Sequence, residues 1–209
     1  GGADDALAAY RKGVEARPDF LPARFALTAA LMQQGKLDDA AAQLAELKRI
    51  AAADSRTVYL DARLAVARKD YKLARELSQQ LLLTANSPRN LELAGLVELR
   101  LNSLEKAERY LAAAVGAAPE LGLARQLLVR TYLRSGQPAK ALATLNDAMG
   151  PDGLDPGLFM LAGQAHLQSG DAKTAEEYFA KALRLDPNNA RKETALALTH
   201  LVGAGEATA

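Results

Sequence analysis

Residues 156–189 read PGLFMLAGQAHLQSGDAKTAEEYFAKALRLDPNN, the outline of two helices and the turn that joins them. Asp155 stands where its carboxylate can cap the first helix, and Pro156 takes the first helical position, where a missing N–H costs nothing. Phe159, Ala162, Gly163 and His166 follow at helical spacing and mark one face. Ser169-Gly170-Asp171 stops that helix and caps the next. On the second helix Ala175, Phe179 and Ala182 form one stripe, and Asp186-Pro187-Asn188-Asn189 ends it. Small residues on both stripes let the helices come close, with Phe159 and Phe179 filling the space that remains.

The same grammar recurs along the chain. Ala6, Ala40, Ala74, Ala107, Ala141 and Ala175 lie 34, 34, 33, 34 and 34 residues apart, the regularity of a repeat architecture. Leu91, Ala94, Gly95, Ala107, Leu111 and Ala114 repeat the pattern, and so do Leu128, Tyr132, Gly136, Ala141 and Leu145. The units opening at Leu21 and at Ser55 are more worn but keep Phe25, Gly35 and Ala40 in one, Tyr59, Ala62 and Ala74 in the other. The register predicts the second helix of a truncated repeat over 3–20, then five full hairpins at about 21–54, 55–87, 88–121, 122–155 and 156–189. The first helix of another truncated repeat follows over 190–209, which makes one continuous solenoid of about a dozen helices.

Composition agrees and narrows the chemistry. Of 209 residues 49% are hydrophobic and 24% charged, a globular balance, and an aromatic share of 5% without Trp favours slender, closely packed helices. Lys and Arg number 26 against 25 acids, so a net charge of +1 supplies no general field for nucleic acid or anionic lipid. The absence of Cys excludes disulfides and thiolate metal sites and suits cytosol or periplasm alike. No run of 18 apolar residues reads as a membrane span. There is no phosphate loop, H-E-x-x-H, G-x-S-x-G or calcium loop, so we expect no enzyme, cofactor or metal. His166 and His200 share one repeat place 34 residues apart and are expected to stack in the hairpin core with Tyr132, with no carboxylate nearby. GPDGLDPG, residues 150–157, reads as a connection between hairpins.

At Gly163, Gly170, Ala175, Phe179, Ala182 and Pro187 the sequence resembles the tetratricopeptide repeat family, and the likeness covers nearly the whole chain. The departures are the missing first-helix Trp and the presence of His166 and Glu98 where a Tyr is usual, which touch local packing only. TYLRSGQPAKALATL from Thr131 and LAGQAHLQSGDAKTAEEYF from Leu161 resemble, more narrowly, the repeat lipoproteins of bacterial PEP-CTERM and exopolysaccharide systems. That resemblance implies work in exopolysaccharide export and protein sorting, periplasmic or associated with the outer membrane; without it the chain would be cytoplasmic.

A single hairpin cannot cover its own apolar faces, so neighbours stack, and the fold expected is an all-α right-handed superhelical solenoid with a concave groove lined by first helices. In this register the apolar Phe25 and Ala29 turn inward, followed by Arg56, Tyr59 and Arg63, then Arg89 and Glu92, then Gln126, Arg130 and Arg134. Arginine forks beside a Tyr suit carboxylate or phosphate, so the expected partner is a protein or peptide, acidic in character, with an anionic polysaccharide as the alternative. The competing reading makes these arginines solvated surface charges answered by Asp61, Asp70 and Glu92. The family's carboxylate clamp needs inward Lys and Asn, and Phe25, Tyr59, Arg63 and Glu92 stand in those places instead. Truncated repeats at both ends predict weak end-to-end association through Leu7 and Tyr10 at one end, Leu196 and Leu201 at the other.

Overall fold

The structure is a computed structural model in which residues 2–146 and 155–188 are described. Among the described residues all regular structure is α-helix, in eleven segments. The chain divides into two compact units, Gly1–Ser103 and Leu104–Ala209, and the division falls at the turn within the 88–121 hairpin. The first unit holds α1 (Gly2–Ala16), α2 (Leu21–Gln33), α3 (Leu37–Ala51), α4 (Ser55–Ala67), α5 (Tyr71–Thr84) and α6 (Pro88–Arg100). The second holds α7 (Leu104–Ala117), α8 (Gly122–Arg134), α9 (Pro138–Asn146), α10 (Pro156–Gln168) and α11 (Ala172–Leu185). Residues 147–154, which include the first part of the connection read at 150–157, and the last helix read from the sequence, with His200, Leu196 and Leu201, lie outside the described residues.

Within each unit every helix packs on its successor, and the first helices also meet one another, α2 with α4, α4 with α6, and α8 with α10. The alanines of the 34-residue register explain the close approach: Ala40, Ala74, Ala107 and Ala141 are fully buried at 0% exposure. Any larger side chain there would overpack the crossing, at about 1–3 kcal/mol. Four residues further on, Leu44, Leu111 and Leu145 are buried too, and each contributes roughly 1.5–3 kcal/mol by leaving water. The sequence expectation of an uncovered Leu7 is corrected. It is buried in the same apolar cluster as Phe25, Leu31 and Leu44, because α1 packs on α2, while Tyr10 remains exposed.

The turns inside the hairpins are chemically alike. Gly35, Lys69, Asn102, Gly136 and Gly170 all take left-handed backbone angles, with φ of 71°, 63°, 59°, 67° and 82°. In each, the next residue's N–H reaches back five residues, as from Lys36 to the Leu31 carbonyl, Asp70 to Ala65 and Asp171 to His166, at 2.9 Å. This paired closure satisfies carbonyls that the end of a helix leaves free. Helix starts are capped by side chains at Asp54, Asp70, Ser87, Asp155 and Asp171.

Three sequence expectations about polar residues change. Glu98 does more than replace a Tyr: it is 2% exposed and accepts two hydrogen bonds from Arg75 of α5, at 3.0 and 2.6 Å, while the same guanidinium also donates to Ser103. His166 stacks on Tyr178 of α11, with ring centroids 5.4 Å apart and planes 13° from parallel, rather than on Tyr132. A carboxylate does stand beside it, since His166 Nδ1 lies 3.4 Å from Asp171, the cap of α11. Among the described residues no group of three metal-ligating side chains occurs.

Candidate functional site

α2, α4 and α6 line a cavity of about 570 Å³ in the first unit. Its apolar wall is Phe25, Ala26 and Ala29 of α2 with Leu60 of α4. Arg56, Tyr59 and Arg63 follow one another on α4 at spacings of three and four residues, the interval that sets side chains on one helical face. Arg89 and Asn90 come from the first turn of α6, beside its cap Ser87. No carboxylate is among the residues that line the cavity.

The three arginines are held differently. Arg56 donates to the Asp54 carboxylate through Nε at 3.1 Å and Nη2 at 2.7 Å, and its Cζ lies 4.3 Å from the centre of the Phe25 ring. These hydrogen bonds hold the Asp54 carboxyl below the usual carboxylate range and raise Arg56 further above its own. Asp54 does a second job, for the same carboxylate accepts the Arg56 backbone N–H at 2.8 Å and caps α4. Arg63 lies with its Cζ 6.0 Å from the Tyr59 ring centre, within the range of a cation–π contact. Neither Arg63 nor Arg89 has an ion pair among the described residues. The cavity therefore joins an apolar wall to two guanidinium groups that no acid among the described residues pairs with.

Of the eight polar side chains that the register turned inward, Arg56, Tyr59, Arg63 and Arg89 come together here. Glu92 is half-buried on α6 and does not line the cavity. Gln126 is used inside the fold, donating from Nε2 to Asp155 at 2.9 Å and so tying α8 to the cap of α10. Arg130 and Arg134 are exposed on α8, in the second unit. The alternative pairing of arginines with Asp61 and Asp70 is also corrected. Arg56 uses Asp54, Asp61 pairs with Lys48, and Asp70 caps α5 by accepting from Leu73. Asp54, Ser87 and Asn90 were missed, although Asp54-Ser55 and Ser87-Pro88 are recognisable helix starts, and a helix start at a groove brings its capping residues with it.

A family model described as tetratricopeptide repeat matches residues 1–55 and 127–190, more than half of the chain. The chain belongs to the tetratricopeptide repeat family. Solved structures, two of them described as TPR proteins, are similar in fold. YrrB, a TPR protein with an unusual peptide-binding site, is 20% identical, with a TM-score of 0.65 over 93% of this chain and 98% of its own. TTC0263, a thermophilic TPR protein in Thermus thermophilus, is 20% identical, with a TM-score of 0.69 over 84% of this chain and 97% of its own. The APC/C hetero-tetramer Cut9-Hcn1 gives a TM-score of 0.85 at 17% identity over 94% of this chain, which spans only 40% of the matched chain. At these identities the likeness is one of fold. Among curated proteins none matches this sequence. No helix among the described residues is long and apolar enough to cross a membrane.

Proposed function

We propose that this chain is a non-catalytic scaffold that binds a protein or peptide partner, and that its first unit receives an acidic segment of that partner in the cavity of α2, α4 and α6. One observation carries the reading: three arginines and a tyrosine line a cavity that contains no carboxylate. A guanidinium offers a planar fork of donors to a carboxylate, and partial shielding from water makes such bonds stronger than rim ion pairs. The apolar wall gives the rest of a peptide a surface to cover. Support also comes from the family, since the related fold of YrrB is that of a TPR protein with a peptide-binding site.

The setting in exopolysaccharide export and protein sorting, and with it a periplasmic or outer-membrane location, is part of the proposal and rests on the wording of the C-terminal half alone. Calorimetry of the whole chain against acidic peptides, neutral peptides and uronate oligosaccharides tests the binding role. Acidic peptides should bind, and Arg63→Ala with Arg89→Ala should cost about 1 kcal/mol each. Uronate binding without peptide binding would replace the peptide reading with the polysaccharide one. Equal affinity for acidic and neutral peptides would discard the anionic site.

A further inference from the structure

Arg56 is the cavity arginine whose charge is already answered, and the residue that answers it belongs to its own helix start. Asp54 and Arg56 are two positions apart, and the carboxylate takes the guanidinium in a two-bonded fork, with N–O distances of 3.1 and 2.7 Å. A ligand carboxylate would use the same geometry. The Arg56 side chain is 59% exposed, so the ion pair lies at the water boundary and not in the core. Exposed pairs of this kind are worth so little that a second carboxylate can displace the first. Arg56 also covers the Phe25 ring at 4.3 Å, which places the fork between Asp54 and the apolar wall of the cavity.

We propose that Asp54 is an intramolecular competitor for the ligand's acid: it occupies Arg56 in the free protein and yields it when an acidic segment enters the cavity. Asp54 is thus a specificity-determining residue, setting how much negative charge a ligand must bring. A ligand with one carboxylate is served by Arg63 and Arg89. A ligand with a further acidic group near α4 also recruits Arg56. This rests on the peptide reading above, and deepens it by assigning a residue that tunes the same site.

The test uses Asp54→Asn in the full chain. Asn caps a helix about as well as Asp, so α4 keeps its start while the competing charge is removed, and Asp54→Ser, also a good cap, is the second variant should the first fold poorly. Titration with a fluorescent peptide carrying several Glu residues should show binding about three- to fivefold tighter to either variant than to wild type, the range an exposed ion pair allows. A neutral peptide of the same length should bind all three equally. In an Arg56→Gln background the gain from Asp54→Asn should vanish, because nothing remains to be released.

Unchanged or weaker binding in both variants, or a gain that persists with Arg56→Gln, would overturn the competitor role while leaving the peptide site standing. Failure of every acidic peptide to bind both the wild type and the variants would overturn the peptide reading itself, and the competitor with it.

Discussion

A glutamate at 2% exposure needs its charge answered, and Arg75 answers Glu98 with two hydrogen bonds from a side chain that is itself one third exposed. Removing one partner of such a pair costs far more than the pair contributes. Arg75→Ala should lower the unfolding free energy by about 2–3 kcal/mol, since it strands a buried carboxylate. Changing Arg75 and Glu98 together to Leu should bring stability back near wild type. Urea denaturation of the single and double variants checks this, and a single variant within about 0.5 kcal/mol of wild type would show that the pair is idle. Nothing in the sequence announces it. The partners are 23 residues apart on different helices, and Glu98 stands where the family places a Tyr, so it reads as a packing substitution. Asp54 was equally hidden, for a helix cap looks the same from the sequence whether or not it also holds an arginine.

The hairpin of α10 and α11 was legible because its small residues are required by geometry. A Cβ placed on Gly163 would come within 2.4 Å of the Phe179 ring, so no larger residue fits while that ring stays in place. Gly163→Ala should gain up to about 1 kcal/mol in helix propensity but lose more to overpacking, for a net cost of about 1–2 kcal/mol. Thermal unfolding reads the sign, and a stabilised variant would mean that Phe179 swings away freely. The start of α11 carries a pH dependence. Hydrogen bonds from Thr174, and then the nearby His166, hold the Asp171 carboxyl below its ordinary 3.8. A depressed carboxylate contributes above its unfolded pKa, and that contribution is lost as pH falls through the lower folded value. The Thr174 amide resonance should therefore keep its capped position down to about pH 4 and move only at more acidic pH. Movement at neutral pH would show that the Asp171 carboxylate does not set the cap.

At the scale of the whole chain, a net charge of +1 hides a local excess of positive charge in the first unit's cavity. Affinity for acidic peptides should fall several-fold as salt rises from about 0.05 to 0.5 M, because the cavity is open enough for ions to screen its arginines. A salt-independent affinity would assign binding to the apolar wall. Arg56, Tyr59, Arg63 and Arg89, which the repeat register turned inward, line one cavity because periodicity fixes which way a helical side chain turns. Gln126 bonds Asp155, the cap of another helix, and no spacing within its own helix announces that partner. The five left-handed turns carry a different kind of information. Three are glycine, but Lys69 and Asn102 hold the same backbone with a Cβ present, a conformation that costs a lysine about 1–2 kcal/mol and an asparagine less. That cost is borne locally, so amide hydrogens at the start of α5 should exchange with solvent faster than those at the start of α3, which follows Gly35. Lys69→Gly should slow exchange there and nowhere else, making a single turn the weak link that decides where the array first opens.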